Sequence, residues 1–264
     1  MTPTFPPGIA GEVSEGGGRP PLLWAHGLTS SRADEDQAGL FRWNVDRPVI
    51  RWDAPGHGRS RRATGPDEIV WAALGNLMVS VADGHGVERF VAGGASMGAA
   101  TSLWAAVAAR ERVAALLLVV PPTAWETRRA QADVYRSHVE VIETRGLAAL
   151  AELTAAEPLP PVFDAVAEQV RAARRDSYLA ADPANLAAVL RGAAGSDLPP
   201  REALTRLDVP ALVLAWSGDP GHPVSTAQAL GDLLPRARVE VAADIRGVLG
   251  WPDLASTWLD GLAE

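Results

Sequence analysis

The sequence contains no cysteine and no lysine, and these two absences exclude several kinds of chemistry. Without cysteine the chain can form no disulfide, no thiolate metal site and no cysteine nucleophile. Without lysine it has neither a Schiff-base amine nor a lysine general base. Every basic side chain is arginine or histidine, so catalysis would depend on other groups.

Long apolar runs and an excess of positive charge are also missing. No run approaches the roughly 20 residues that span a bilayer, and the longest, residues 113–120, has the length of a strand. The N-terminus lacks the basic and apolar regions of a signal peptide. The formal net charge of -8 argues against nucleic acid or an anionic membrane as a partner. We therefore expect a cytoplasmic protein.

What the sequence does contain is an alternation of short apolar runs and amphipathic stretches. This pattern is typical of an α/β fold, with a mostly parallel sheet and helices on both faces. The first twenty residues, rich in glycine and proline, are predicted to be loop. The predicted strands are residues 22–25, 49–52, 90–93, 114–120, 211–215 and 239–242. The predicted helices are about 67–82, 97–109, 225–234 and 252–262.

One segment interrupts the alternation. Residues 123–198 contain no strand candidate; alanine, glutamate and arginine dominate, and apolar residues recur at helical spacing. Ordinary crossover helices would be shorter. We therefore predict a helical cap inserted at 123–198 into a core formed by residues 1–122 and 199–264. Four prolines divide the segment into about four helices: Pro158, Pro160, Pro161 and Pro183.

The strongest chemical signal is the sequence Gly94-Ala95-Ser96-Met97-Gly98. A predicted strand leads into it and a helix of small residues leads out. Such a turn holds its serine in a strained backbone conformation above the carboxyl edge of the sheet, and bulky side chains in place of the glycines would collide with backbone. The helix start directs free N–H groups at any anion formed there. This pattern indicates that Ser96 is a nucleophile.

With these elements around the serine, the chain resembles the α/β-hydrolase fold superfamily, in its capped, single-domain bacterial type. The resemblance runs from about residue 21 to the C-terminus. The segment LLWAHGL at residues 22–28 resembles the family's His-Gly loop, and WDAPGHGRS at 52–60 resembles a loop that braces the site. The resemblance implies that the backbone N–H groups of Leu28 and Met97 form an oxyanion hole. It also implies that His26 and His57 hydrogen bond to loop backbone.

Of the family's catalytic acid and base, only the acid has a matching residue at its expected position in this chain. The segment LVLAWSGDPGHP at residues 212–223 resembles the loop that carries the family's acid, and Asp219 matches that acid. The family's base is a histidine after the last strand, but residues 239–252 contain none. Its expected position falls at Asp244 to Arg246. A carboxylate is a weak base, and an arginine stays protonated.

Three interpretations of this departure remain open. In the first, His222, three residues beyond Asp219, replaces the base. In the second, Ser96 and the oxyanion hole act without a histidine, as in a lyase, cyclase or isomerase that stabilises an enolate. In the third, the chain is a small-molecule binding protein with weak turnover. We predict a serine hydrolase of a small or medium hydrophobic ester, lactone or thioester, with Ser96, Asp219 and His222 as its catalytic residues.

Tryptophan is abundant, with 9 residues against 4 phenylalanines and 2 tyrosines, which favours an aromatic pocket for a hydrophobic small molecule. The candidate substrate-binding residues are His26, Trp125 and Trp216. His85 and His138 are predicted to lie on the surface. No dinucleotide fingerprint, phosphate loop or metal cluster is present, so we expect no cofactor and no metal. The oligomeric state stays open.

Overall fold

The computed structural model describes residues 4–39 and 45–262, and a sheet of seven strands lies at its centre. The strand order is β1-β3-β2-β4-β5-β6-β7, with β1 antiparallel to β3 and all other pairs parallel. This is the predicted α/β architecture. The strands are Gly11–Ser14 (β1), Leu22–Ala25 (β2), Val49–Trp52 (β3), Phe90–Ala95 (β4), Val113–Val119 (β5), Ala211–Trp216 (β6) and Ala237–Ala242 (β7).

All six predicted strands are present, and their ends lie within two residues of the predicted ones. The prediction that the first twenty residues are loop was wrong at β1, which pairs with β3 through the register Gly11↔Trp52. The strand could not be predicted because β1 lies at the sheet edge and is mostly exposed. Its sequence therefore lacks the apolar run that is typical of a buried strand.

Helices cover both faces of this sheet. The four predicted helices are found, although a short 3-10 turn, Pro66–Glu68, precedes the one predicted from residue 67. The helices are Arg32–Ala38 (α1), Trp71–Gly84 (α2), Met97–Ala108 (α3), Arg128–Ala155 (α4), Ala167–Ala180 (α5), Pro183–Ala194 (α6), Arg201–Leu204 (α7), Val224–Leu233 (α8), Ile245–Leu249 (α9) and Trp251–Asp260 (α10). None of these described helices is long and apolar enough to cross a membrane.

The central strands are buried on both faces, which explains their continuous apolar sequences. On β5, Leu116 and Leu118 join the core that packs against α2, α3 and α8. Their neighbours Leu117 and Val119 join the opposite core, against α9 and α10. Because side chains alternate along a strand, one run of apolar residues supplies both cores. Because β2, β4, β5 and β6 are parallel, their carboxyl ends lie in that order along one edge of the sheet.

The segment between β5 and α7 is helical, with no strand among residues 123–198. Two breaks follow the prolines: Pro161 opens a 3-10 turn, Pro161–Val166, and Pro183 stands in the first turn of α6. A third break was not predicted: α4 is interrupted at Gly146, where φ is 82°. At the start of α4 the buried Arg128 donates to Ser196 O and Thr123 Oγ1, which ties both ends of the segment together.

Candidate active site

Ser96 lies in a turn between β4 and α3, with φ 54° and ψ -111°. Non-glycine residues rarely adopt a positive φ, and such strain is concentrated at functional sites. The flanking glycines are required by close packing. A Cβ on Gly98 would lie 1.9 Å from Ala25 O, and a Cβ on Gly94 would lie 2.4 Å from the carbonyl carbon of Gly98. The chain therefore forms the strained strand-to-helix turn that its sequence indicated.

The side chains of Ser96, His222 and Asp219 form one hydrogen-bonded chain. His222 Nε2 lies 2.7 Å from Ser96 Oγ, and His222 Nδ1 lies 2.8 Å from Asp219 Oδ2. An ionised carboxylate can only accept a hydrogen bond, so Nδ1 carries the proton and Nε2 accepts from the hydroxyl. The 2.7 Å separation is within the range needed for direct proton transfer.

Asp219 is held in its ionised form by its neighbours. Burial raises the pKa of this carboxyl, but the hydrogen bonds from His222, Trp216 and the backbone N–H of Gly221 outweigh that effect and lower its pKa to about 2. Trp216 Nε1 donates to Oδ2 at 2.7 Å and Gly221 N donates to Oδ1 at 2.8 Å. Both oxygens are therefore fixed, and a negative charge faces the imidazole of His222.

The loop that carries Asp219 and His222 is short and tightly held. It leaves β6 through Gly218, whose φ of 76° suits glycine, and the backbone turns back as His222 N donates to Asp219 O at 3.3 Å. Thr123 N donates to Gly221 O at 3.0 Å, which joins the loop to the base of the helical segment. This turn points the imidazole back toward the end of β4, where Ser96 lies.

The predicted oxyanion-hole residues, Leu28 and Met97, each have a backbone N–H without an acceptor in the described part of the chain. A Cβ built on Gly27 would lie 3.7 Å from Ser96 Cβ, so the loop after β2 reaches Ser96. Among the residues that the structure describes, neither Leu28 N nor Met97 N donates a hydrogen bond. Met97 is the first residue of α3, where a helix leaves its N–H groups free. Both amides are available to an anion, as the predicted oxyanion hole requires.

Comparison with known proteins places this chain in a family. The model of the α/β hydrolase fold family matches residues 20–245. The chain belongs to the α/β-hydrolase fold family. A curated relative, 3-oxoadipate enol-lactonase 2 of Acinetobacter baylyi, is 26% identical over 224 residues, which cover 84% of this chain and 80% of that protein.

Solved structures of the α/β-hydrolase fold superimpose over nearly the whole chain. A hydrolase from Pseudomonas aeruginosa has a TM-score of 0.78 at 22% identity, covering 95% of this chain and 94% of the other. The enol-lactonase from Burkholderia xenovorans has a TM-score of 0.76 at 21% identity, covering 97% and 96%. At these identities the likeness establishes the fold.

The family's His-Gly loop and its bracing loop are joined by His26. Its Nδ1 donates to Gly27 O at 2.8 Å, and its Nε2 accepts from Ala54 N at 2.9 Å. Burial lowers the pKa of His26, and the neutral ring suits this pair of contacts. Both nitrogens are thus used by backbone, which is the structural role that the resemblance implied. A contact between His26 and substrate stays a prediction.

The bracing loop after β3 is fixed by Asp53 and His57. Asp53 Oδ1 accepts from Arg32 N at 2.9 Å and Oδ2 from Arg59 N at 3.0 Å. His57 Nδ1 donates to Pro55 O at 2.9 Å, and burial lowers the pKa of His57 to about 3. These contacts support the loop that carries Leu28, and neither side chain is bonded to Ser96.

The loop after β7, where this family's base is expected, has a different structure here. Asp244 accepts from Gly247 N at 2.9 Å and caps α9, so its carboxylate is used inside the helix start. Trp251 follows and stacks on Trp216, with ring centroids 5.7 Å apart and planes 10° apart. A packed aromatic pair thus lies where this loop approaches the Asp219 loop.

The two tryptophans predicted to bind substrate have well-defined surroundings. Trp125 donates through Nε1 to Pro199 O at 3.1 Å, and Arg201 lies 4.3 Å above its ring. These partners directly follow the helical segment in the chain and are not part of the loop that carries Asp219 and His222. Trp216 is buried, with 8% of its surface exposed, and its indole N–H is bound to Asp219. That either ring contacts substrate stays a prediction.

Apart from Leu28, the residues of an apolar cluster beside the site were missed by sequence reasoning. Leu28 packs in it together with residues of α4 and α6. The signal in the sequence was the helical spacing of positions 135, 139 and 142 and of 186 and 190. The cluster therefore joins the loop after β2 to the helical segment. Its members include Leu28, Tyr135, Val139, Ile142, Leu186 and Leu190.

Two remaining histidines lie apart from the triad. His85 ends α2 and packs edge-on against Phe5, with ring centroids 4.6 Å apart. His138 was predicted to lie on a helix surface, and that prediction was wrong. Its ring is 7% exposed, and its Nε2 lies 3.3 Å from Glu157 Oε1, because the chain after α4 folds back over it. Among the described residues, no cluster of three or more His, Asp or Glu could hold a metal ion.

Proposed function

We propose that this protein is a serine hydrolase that cleaves small or medium-sized hydrophobic esters, lactones or thioesters. Ser96 is the nucleophile, His222 the general base and Asp219 the acid of its triad. The observation that carries the proposal is the 2.7 Å separation of His222 Nε2 and Ser96 Oγ. It favours the first of the three interpretations, because both others start from a serine without a base.

In the proposed reaction, Ser96 Oγ attacks the carbonyl carbon while His222 Nε2 takes its proton. The backbone N–H groups of Leu28 and Met97 bind the oxyanion of the tetrahedral intermediate, a contribution of about 3 kcal/mol for each donor. Asp219 stabilises the imidazolium. His222 then gives its proton to the leaving oxygen or sulfur, and the acyl-enzyme forms. Water, deprotonated by His222, releases the acid by the reverse sequence.

The substrate class is inferred from the surroundings of the site and from the relatives. Leu28 packs against the buried apolar cluster of α4 and α6, so apolar side chains adjoin the proposed oxyanion hole, which favours a hydrophobic acyl group. We propose that residues 123–198 act as a cap over the site. A curated relative is a 3-oxoadipate enol-lactonase, and its activity supports the inclusion of lactones.

A serine-directed fluorophosphonate tests the proposal. We expect stoichiometric labelling of the wild type at Ser96, none in Ser96→Ala, and labelling slowed at least 100-fold in His222→Ala. His85→Ala is the matched control, since that ring packs against Phe5, and it should label like the wild type. Turnover is measured on p-nitrophenyl esters of increasing chain length, on aliphatic lactones and on acyl thioesters. A folded wild type that neither labels nor turns over any of these would contradict the proposal.

A further inference from the structure

Trp216 is the last residue of β6, and its indole makes a contact inside the triad. Its Nε1 donates to Asp219 Oδ2 at 2.7 Å, and His222 Nδ1 donates to the same oxygen at 2.8 Å. One carboxylate oxygen therefore accepts from both the base and the indole. The other oxygen, Oδ1, accepts from Gly221 N at 2.8 Å.

The indole ring of Trp216 is itself held on two sides. Trp251 stacks on one side at 5.7 Å, and Phe163 packs edge-on at 5.0 Å with the planes 78° apart. Trp251 begins α10, and Phe163 lies in the 3-10 turn of the helical segment. Since offset stacking and edge-on packing restrain a ring, the direction of the indole N–H is fixed before substrate arrives.

We infer that Trp216 is a positioning residue for the triad, which fixes the carboxylate of Asp219 so that Oδ2 faces His222. This inference rests on the proposed function and adds a residue to its machinery. With the indole N–H removed, only Gly221 N would restrain the carboxylate on the side away from His222. The carboxylate could then rotate away from the imidazole, and the imidazole away from Ser96. The loss would fall on the chemical step, because Trp216 acts through Asp219.

Trp216→Phe tests the inference, since phenylalanine keeps an aromatic ring for the stack and removes the N–H. We expect kcat per fluorophosphonate-titrated site to fall about ten-fold, with KM changed less than two-fold. Trp104→Phe is the matched control. This substitution also removes an indole hydrogen bond, from Trp104 Nε1 to Asp197 O at 2.9 Å. Because that bond does not involve Ser96, His222 or Asp219, kcat should stay unchanged. A rise in KM with kcat unchanged would overturn the inference and make Trp216 a substrate contact.

A double-mutant cycle separates positioning from general packing. In an Asp219→Ala background the carboxylate is gone, so adding Trp216→Phe should lower kcat less than two-fold further. The same ten-fold fall in both backgrounds would mean that Trp216 acts independently of Asp219 and would overturn the inference. Esters with an activated leaving group keep the residual rates measurable.

A second measurement does not depend on the folding of Trp216→Phe. In a ¹⁵N–¹H spectrum of the wild type, the assigned indole resonance of Trp216 should move strongly in Asp219→Ala, while that of Trp104 stays. An unmoved Trp216 resonance would overturn the inference. The proposed function is tested independently of this inference. If His222→Ala is labelled as fast as the wild type, the proposed function is wrong. If Trp216→Phe keeps the wild-type kcat while His222→Ala is inactive, only the positioning role of Trp216 is wrong.

Discussion

Two loops at the same edge of the sheet can be compared directly: the one after β6, residues 217–223, and the one after β7, residues 243–244. The first carries both Asp219 and His222, and it places the imidazole 2.7 Å from Ser96. The second carries Asp244, whose side chain caps α9. The comparison supports His222 as the proposed base, because its ring reaches Ser96 whereas the side chain of Asp244 is used inside its own helix.

The strand order explains how the first loop can take over. Ser96 follows β4, and the sheet continues β5, β6, β7. Adjacent strands lie about 4.8 Å apart, so the end of β6 is roughly 10 Å from the end of β4 and the end of β7 roughly 14 Å. A base that follows β6 therefore has less distance to cross. The loop after β6 turns back toward β4, and the imidazole of His222, which contacts the aspartate three residues earlier, completes the reach to Ser96.

The largest expected difference between the loops is catalytic. His222→Ala should lower kcat about 10⁵-fold, because a serine hydroxyl without its base is a poor nucleophile. Arg246→Ala, at the position where the family's base is expected, should change kcat less than two-fold. Steady-state kinetics on a p-nitrophenyl ester measure both. Similar losses in the two variants would show that the second loop takes part after all.

A smaller effect is expected in the pH dependence of stability. Asp219 has its pKa lowered from 3.8 to about 2 in the folded chain, by the hydrogen bonds that outweigh burial. A lowered carboxyl pKa stabilises the folded state above pH 3.8, and that stabilisation is lost as the pH falls from about 4 to about 2. The excess stability of the wild type over Asp219→Asn should shrink by about 2 kcal/mol across this window. Urea unfolding at each pH measures it, and a constant difference would contradict the pKa shift.

The smallest effect is expected at the second loop. Asp244→Ala removes the side chain that accepts from Gly247 N, so the free energy of unfolding should fall by about 1 kcal/mol. Because this cap is remote from the proton transfer, kcat and KM should stay as in the wild type. Thermal unfolding together with ester kinetics checks both statements. A fall in kcat without a fall in stability would assign Asp244 a part in the reaction.

Much of the fold could be predicted from the sequence, since β2, β4, β5 and β6 are buried on both faces and read as unbroken apolar runs. The strand β1 could not, because an exposed edge strand leaves no such pattern. The break at Gly146 was also missed, since a lone glycine in a helical pattern is usually tolerated.

In the site, contacts between neighbouring residues could be predicted from the sequence, whereas contacts between residues far apart in the chain could not. The turn at Ser96 was readable because its glycines are demanded by backbone packed within a few residues and by the neighbouring Ala25. The contact between His222 and Ser96 was not, since it joins positions 126 residues apart and depends on how the Asp219 loop turns. The hydrogen bond from Trp216 to Asp219 could not be predicted for another reason. A tryptophan at a strand end is as compatible with apolar packing as with a hydrogen bond from its indole N–H.

Asp219 and His222 are only three residues apart in the sequence, and this affects how many backbone segments the triad needs. In a triad spread over three loops, three independent backbone segments must be aligned at once. In the proposed triad the acid and the base lie on one loop, so only the spacing between the serine turn and that loop would have to be maintained during turnover. In the proposed triad the final edge strand and its helices supply no catalytic side chain, so substitutions at their exposed positions should leave kcat unchanged, whereas core residues such as Trp251 and Leu259 are still needed for packing.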